Sequence, residues 1–167
     1  MKIAIISDSH DNIWKLDQAL SKVGEADVLI HCGDLCSPFV IKHLGEWAEE
    51  RPVHIVWGNN DGDRLMITSN AEAYKNITLC GEYARLELDG IRVFVTHYPG
   101  IAEAVADSGD YDLVCYGHDH TQSIKEVAGS ILLNPGEIMG LNGTSSLALF
   151  ETKSKKCRFI EIVSGDK

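Results

Sequence analysis

Side chains of the kinds that bind metal ions follow five apolar segments of this sequence, each at the point where the segment ends. They are Asp8 with His10, Asp34, Asn59, His97, and His118 with His120. Carboxylate, imidazole and amide donors without a thiolate suit Mn, Fe, Co, Ni or Zn better than they suit a structural cysteine–zinc site. One D-x-H or H-x-H pair usually caps a helix or lies on the surface. Five such segment ends in succession indicate a metal centre.

The elements that must carry these side chains are strands. Residues 3–6 form a continuous apolar run, which is typical of a strand buried on both faces. In an extended chain, positions two apart point to the same side, so we expect Asp8 and His10 to converge. The carboxyl ends of strands are the usual functional edge of an α/β sheet. The sequence therefore predicts that several strands deliver ligands to one edge.

The spacing of apolar residues predicts the order of helices and strands. Helices are indicated at 13–23 and 39–47, starting at Asp11 or Asn12 and at Ser37-Pro38, between buried strands at 26–32 and 52–57. Further elements are expected as one or two helical turns within 63–76, a strand at 77–79, a hairpin of 82–88 with 91–96, a helix at 101–107, and strands at 112–116, 121–128, 130–133, 145–151 and 156–163. We expect two packed sheets with helices outside, in one domain over residues 1–167.

Composition limits the classes of protein to consider. The chain has 167 residues, a formal net charge of −10 and a pI of about 5.0, which argues against strong binding to nucleic acid. The apolar runs are only strand-sized and nothing resembles a signal peptide, so we expect a cytoplasmic protein without a membrane segment. The five cysteines are scattered, with one C-x-x-x-C pair at Cys32 and Cys36. This pattern favours reduced, buried thiols over a zinc finger or disulfides.

The order of these motifs resembles the calcineurin-like metallophosphoesterase superfamily. Its motifs D-x-H, G-D, G-N-x-D, T-H and G-H-x-H are matched by residues 8–10, 33–34, 58–61, 96–97 and 117–120. The later Asn134-Pro135-Gly136 matches short members of the family. The resemblance is dense over residues 1–136 and points to small, single-domain prokaryotic phosphodiesterases. It implies an α/β (α+β) fold, a four-layer αββα sandwich of two mixed β-sheets flanked by helices.

The resemblance also implies two divalent metal ions and assigns their ligands. One ion would take Asp8, His10, Asp34 and His120, and the other would take Asp34, Asn59, His97 and His118. Mn is the first choice of metal, with Ni, Zn, Fe, Co and Mg as alternatives. Two such ions ~3.5–4 Å apart lower the pKa of a shared water and stabilise the attacked phosphate. The implied activity is hydrolysis of a small phosphate ester, in particular a phosphodiester. A homo-oligomer is compatible with the sequence.

One position departs from the wider family pattern. The common third motif is G-N-H-[DE], and here Asn60 stands in place of the histidine, beside Asp61. An amide can donate a hydrogen bond to a phosphoryl oxygen but cannot protonate a leaving group near neutral pH. We therefore expect Asn60 to contact the phosphate, and we expect esters with good leaving groups to be hydrolysed best. Asn134 is a second candidate for substrate contact.

The remaining histidines and the tryptophans have ordinary structural interpretations. His31 and His54 lie within predicted strands and His43 lies on a predicted helix, so packing or surface positions explain them. Three tryptophans are expected in the core rather than in a pocket, namely Trp14, Trp47 and Trp57.

A different class of function is compatible with the same fold. The retromer small subunit has this fold and acts mainly as a protein-binding scaffold with weak or no catalysis. All seven predicted ligand positions of the present chain keep a competent donor, which favours the enzyme over the scaffold.

Overall fold

A computed structural model describes residues 1–163, which form eleven strands and four helices. The strands are β1 Lys2–Ile6, β2 Val28–His31, β3 Val53–Ile55, β4 Ile77–Leu79, β5 Tyr83–Leu88, β6 Ile91–Thr96, β7 Leu113–Cys115, β8 Gln122–Val127, β9 Ser130–Pro135, β10 Ser145–Glu151 and β11 Lys156–Ile162. The helices are α1 Ile13–Lys22, α2 Phe39–Ala48, α3 Arg64–Ala71 and α4 Pro99–Asp107. None of these helices is long and apolar enough to cross a membrane.

The strands form two mixed sheets. The first sheet has the order β11-β10-β1-β2-β3-β4, in which β1 to β4 are parallel and β10 and β11 are antiparallel additions. The second sheet has the order β5-β6-β7-β9-β8, with parallel β6, β7 and β9 between two antiparallel edge strands. This arrangement confirms the predicted α/β sandwich of two mixed sheets, and it confirms the hairpin of β5 with β6.

The side chains of β1 connect the layers of the sandwich. Ile3 and Ile5 pack between the two sheets, whereas Ala4 and Ile6 pack against the helices outside the first sheet. All four are fully buried, as predicted for a strand covered on both faces. Burial of an isoleucine contributes roughly 1.5–3 kcal/mol, so this strand anchors the carboxyl end at which the first ligands lie.

The helices cover the outer faces of both sheets. Helices α1, α2 and α3 cover the first sheet, to which they contribute buried side chains such as Leu16, Leu44 and Ile67. Helix α4 covers the second sheet through Ala102 and Ala106, which pack in one cluster with side chains of β6, β7 and β9. These contacts complete the four layers.

Side chains cap the starts of α1 and α3 but not those of α2 and α4. The Asn12 side chain accepts a hydrogen bond from the Lys15 N–H at 3.2 Å and caps α1. At α2, Pro38 itself occupies the cap position in a helical conformation, and the Ser37 hydroxyl is buried without a hydrogen-bond partner among the described residues. The prediction that Ser37 caps this helix is wrong, because its carbonyl rather than its hydroxyl meets the Val40 N–H at 3.3 Å.

Two of the three tryptophans pack against the core, and one is exposed. Trp47 and Trp57 pack against the core on the helix side of the first sheet. Trp14 is 73% exposed, so the prediction that it lies in the core is wrong. It occupies the first turn of α1, whose buried face begins at Leu16. All five cysteines are free thiols, but Cys32 and Cys115 alone are buried, so the prediction of buried thiols is wrong for Cys36, Cys80 and Cys157.

Candidate metal centre

The seven predicted ligands lie at one edge of the molecule, where strands of both sheets end. In the first sheet, β1, β2 and β3 lead into Asp8 and His10, Asp34, and Asn59. In the second sheet, β6 and β7 lead into His97, His118 and His120. The packing of the two sheets therefore brings together residues that are up to 112 positions apart in the numbering, since the set runs from position 8 to position 120.

The backbone turns sharply at several of these positions. Asp8, His10 and Asp34 have φ angles of 53°, 39° and 57°, and His118 and His120 have 75° and 57°. These values lie in the left-handed region, which costs energy for a residue with a side chain. Asp8 and His10 do converge, but the predicted extended backbone is wrong, because β1 ends at Ile6 and a left-handed turn brings the two side chains together.

The first cluster surrounds Asp8. Its Oδ1 lies 3.3 Å from His120 Nε2 and 3.6 Å from His10 Nε2, and His10 Nε2 lies 3.5 Å from Asp34 Oδ2. Asp8 Oδ1 and His10 Nε2 are buried without a hydrogen-bond partner among the described residues. Ligand atoms about 2.0–2.2 Å from one ion lie roughly 3–3.5 Å from each other. The orphaned atoms and their spacing fit a divalent ion.

The second cluster lies on the other side of Asp34. Asp34 Oδ2 is 3.4 Å from His97 Nε2, and Asn59 Oδ1 is 3.0 Å from His97 Nε2 and 2.9 Å from His118 Nδ1. The same oxygen of Asp34 thus faces both clusters. The structure brings all seven predicted ligands together around this carboxylate.

The charges of the centre shift several pKa values. Burial opposes ionisation of Asp34, but hydrogen bonds from His97 and from Asn60 outweigh it and hold the pKa of this carboxyl well below its usual range. The neighbouring Asp8 carboxylate and Cys36 thiol raise the pKa of His10 to about 10, although burial acts in the opposite direction. Burial would also lower the pKa of His97, yet the Asp34 carboxylate beside it raises that pKa. The centre is therefore electronegative and attracts cations.

One side of the centre is open to solvent. Asp8, Asp34 and His97 form a buried floor, whereas Asn59 and His118 are exposed. The rings of His97 and Tyr98 meet edge to face with centroids 5.3 Å apart, and Tyr98 also lies 5.9 Å from the His118 ring. A ligand therefore has access from the side of the second cluster.

The two residues predicted to contact substrate occupy different positions. Asn60 is exposed at the centre, where its backbone N–H donates to Asp34 Oδ1 at 2.8 Å and its amide donates to Asp34 Oδ2 at 2.7 Å. Asn134 is fully buried behind the centre, and its amide donates to the Gly117 carbonyl at 3.1 Å and to the Asp119 carboxylate. The position of Asn134 gives no support to a contact with substrate, because its donors already hold the loop that carries His118.

His31 supports the floor of the centre. Its Nδ1 accepts the Gly33 N–H at 3.2 Å, so the ring proton lies on Nε2 and points to the Ser9 hydroxyl at 3.1 Å. Burial lowers the pKa of His31 to about 4, against the opposing influence of nearby carboxylates. This neutral, fully buried ring agrees with the structural interpretation of the sequence.

Two acidic residues behind the ligands were missed as parts of the centre. The sequence motifs mark Asp61 only as a residue without its histidine partner, and they do not mark Glu137. Both are buried, with 7% and 1% of their surface exposed. Asp61 is the last residue of the G-N-x-D motif and Glu137 directly follows Asn134-Pro135-Gly136, so proximity to a motif is the available signal.

Comparisons with known proteins find relatives of similar sequence. The phosphodiesterase MJ0936 of Methanocaldococcus jannaschii is 34% identical over 167 residues, covering 96% of this chain and 98% of its own. The probable metallophosphoesterase YsnB of Bacillus subtilis is 31% identical over 145 residues, covering 83% of this chain and 75% of its own.

Solved structures extend the comparison to the fold. One described as a novel archaeal phosphodiesterase superposes with a TM-score of 0.89 at 32% identity, over 96% of this chain and 99% of that chain. Vps29 of Entamoeba histolytica complexed with zinc has a TM-score of 0.69 at 21% identity, over 98% of this chain and 100% of that chain, and so shares the fold. The model of the calcineurin-like phosphoesterase superfamily domain matches residues 1–155. The chain belongs to the calcineurin-like phosphoesterase superfamily.

Proposed function

We propose that this chain hydrolyses small phosphodiesters with two divalent metal ions. The observation that carries the proposal is the position of Asp34 Oδ2, 3.5 Å from His10 Nε2 in one cluster and 3.4 Å from His97 Nε2 in the other. One carboxylate oxygen with imidazoles on both sides suits a bridge between two ions. The names of the relatives support the same reaction, since one is called a phosphodiesterase and another a probable metallophosphoesterase.

The two clusters divide the ligands between two sites. We assign Asp8, His10, Asp34 and His120 to the first site, and Asp34, Asn59, His97 and His118 to the second site. We propose Mn as the metal, with Ni, Zn, Fe, Co or Mg as alternatives, and the nitrogen and oxygen donors without a thiolate are compatible with this choice. When bound, such ions lower the pKa of water and neutralise charge on the phosphate.

The protein's own groups position the substrate. Asn60 donates its amide to Asp34 Oδ2, the atom that both sites require, at 2.7 Å. Coordination at this oxygen would release the amide, which then can donate to a phosphoryl oxygen at the exposed side of the centre. Because an amide cannot protonate a departing alkoxide, the proposed substrates are esters with good leaving groups.

The proposal also covers the cellular compartment and the domain organisation of the protein. The five free thiols support a reducing compartment, and we propose that the protein acts in the cytoplasm. We also propose that residues 1–167 form one domain, since the two described sheets share the buried side chains of β1 and β6.

Metal-stripped protein incubated with bis(p-nitrophenyl) phosphate tests the proposal. Hydrolysis should appear on addition of Mn²⁺, and assays with Ni²⁺, Zn²⁺ and Mg²⁺ should rank the alternatives. Asp34→Ala should remove at least about 99% of the activity, because both ions lose a ligand. The exposed Asp110→Asn is the matched control and should keep wild-type activity, since its described hydrogen bond uses only its backbone N–H.

Two outcomes would contradict the proposal. Full activity in a folded Asp34→Ala variant would show that the ligands are assigned wrongly. Absence of hydrolysis with every metal would favour the protein-binding scaffold, which the shared fold of Vps29 allows.

A further inference from the structure

Glu137 lies directly behind one predicted ligand of the first metal site. Its Oε2 is 2.6 Å from His120 Nδ1, and its Oε1 accepts the Asn142 N–H at 2.6 Å. The side chain is buried, with 1% of the residue exposed. A buried carboxylate is stable only when both oxygens have partners, and here one of the two partners is the imidazole.

This contact determines which nitrogen of His120 faces the metal site. A carboxylate accepts hydrogen bonds, so His120 Nδ1 carries the ring proton and donates it to Glu137. In the neutral ring, Nε2 then keeps its lone pair, and it points at Asp8 Oδ1 from 3.3 Å. Two acceptor atoms at this distance repel each other unless a proton or a metal cation lies between them.

The backbone fixes Glu137 relative to Asp8. The N–H of Ile138 donates to the Ser7 carbonyl at 3.0 Å, and the N–H of Met139 donates to the Asp8 carbonyl at 3.0 Å. Gly136 precedes Glu137 with a φ of 83°, and a Cβ there would lie 2.2 Å from Ser146 Oγ. The chain can therefore turn into this position only with glycine at 136, and the turn aims the carboxylate at His120.

The other ligand imidazoles have different partners. His97 Nδ1 lies 2.8 Å from the carbonyl of Cys32, and His10 Nδ1 lies 3.3 Å from the Cys36 thiol. Within residues 1–163, the carboxylate contact at Nδ1 is specific to His120 among the predicted ligand histidines. A carboxylate partner orients the ring and makes the opposite nitrogen a stronger donor to a metal.

We propose that Glu137 is a positioning residue that sets the affinity of the first metal site through His120. The inference rests on the proposed two-metal function. Loss of a residue that hydrogen-bonds a metal-binding histidine in this way typically weakens metal binding by about 10–100-fold. The second site does not contain His120, so its affinity should stay unchanged.

Binding of Mn²⁺ to the metal-stripped full chain, followed by isothermal titration calorimetry, tests the inference without an activity assay. In Glu137→Gln, one of the two dissociation constants should rise by about 10–100-fold and the other should not change. The glutamine keeps the shape and an acceptor for the Asn142 N–H but removes the charge. Glu126→Gln, an exposed position on β8, is the matched control and should keep both constants.

A double-mutant cycle separates positioning from a purely structural role. In the His120→Ala background, Glu137→Gln should no longer change Mn²⁺ affinity, because the ring through which it acts is absent. Circular dichroism of each protein checks folding, and Glu137→Asp provides a second, charge-retaining variant if glutamine impairs it. The aspartate should retain more of the affinity than the glutamine does.

The inference is overturned if Glu137→Gln binds both ions as the wild type does, weakens both sites equally, or acts independently of His120. These results are distinguishable from failure of the proposed function. Wild-type protein that binds two ions without hydrolysing a phosphodiester would contradict the function and leave the affinity comparison intact.

Discussion

The Asp61 carboxylate clamps the loop that carries Asp34. Its Oδ2 accepts the Asp34 N–H at 3.3 Å and the Gly58 N–H at 2.7 Å, and its Oδ1 accepts the Cys36 N–H at 2.8 Å. One buried side chain thus joins the loops that follow β2 and β3. Asp61 has no histidine at position 60 to orient, and its hydrogen bonds go to the backbone around two ligand-bearing turns.

Asp61→Asn should destabilise the protein and displace Asp34. The amide group introduces a donor where three backbone donors converge, so at least one buried N–H loses its acceptor. Each such loss costs about 1–3 kcal/mol, and urea unfolding should report a decrease of that size in the free energy of unfolding. Asp63→Asn is the control, because asparagine caps α3 about as well as aspartate does. Equal stability of the two variants would show that the Asp61 carboxylate does not hold the two loops together.

Gly58→Ala should reduce both activity and stability. A Cβ at this position would lie 2.1 Å from Asp34 Oδ1 and 2.5 Å from the Asp34 backbone nitrogen. The bridging carboxylate must then move, and overpacking of this kind costs about 1–3 kcal/mol. Gly62→Ala in the same loop would place its Cβ 3.4 Å from the Cys36 carbonyl and should have a much smaller effect. Initial rates and thermal unfolding measured side by side provide the test; unchanged activity in Gly58→Ala would refute it.

The neutral His31 should make stability depend on pH. Its pKa falls from 6.5 to about 4 on folding, chiefly through burial. The unfolded chain therefore binds more protons between these values, and stability is lost as the pH falls from about 6.5 towards 4. The loss amounts to about 2–3 kcal/mol by pH 4.5. Above about pH 6.5 the contribution is complete.

Urea unfolding of metal-stripped protein at pH 7.5 and 4.5 measures this dependence. In His31→Asn, the loss of unfolding free energy between the two pH values should be smaller by about 2–3 kcal/mol. The carboxylates that act on His31, namely Asp61, Asp8 and Asp34, remain in both proteins, so the difference isolates the imidazole. An identical loss in the variant and the wild type would exclude His31 as the titrating group.

Asn60→His should change how the rate depends on the leaving group. The wild type has an amide beside the predicted bridging ligand and should hydrolyse aryl esters far better than alkyl esters. A histidine at this position can protonate a departing alkoxide, which typically contributes about 100-fold or more. A series of aryl and alkyl phosphodiesters spanning leaving-group pKa should give a shallower slope for the variant. The same slope in both proteins would contradict the role assigned to position 60.

The amino-acid sequence by itself determined the kind of chemistry and much of the fold. Local periodicity alone predicted the buried strands that precede Asp8, Asp34 and His97. The order of the motifs identified the family and, with it, the two-sheet sandwich. Helix caps were predictable where one side chain decides them, as at Asn12. At Ser37 the adjacent proline was already helical, so the carbonyl and not the hydroxyl formed the bond.

The tertiary structure decided how these residues act on one another. Asp8 and His10 converge through left-handed turns that the docked loops stabilise, not through an extended chain as local spacing predicted. The burial of Asn134 and the contact of Glu137 with His120 both depend on how the end of β9 packs against the loops after β1 and β7. Hydrogen bonds between segments distant in sequence leave no periodic pattern, which is why only the fold revealed them.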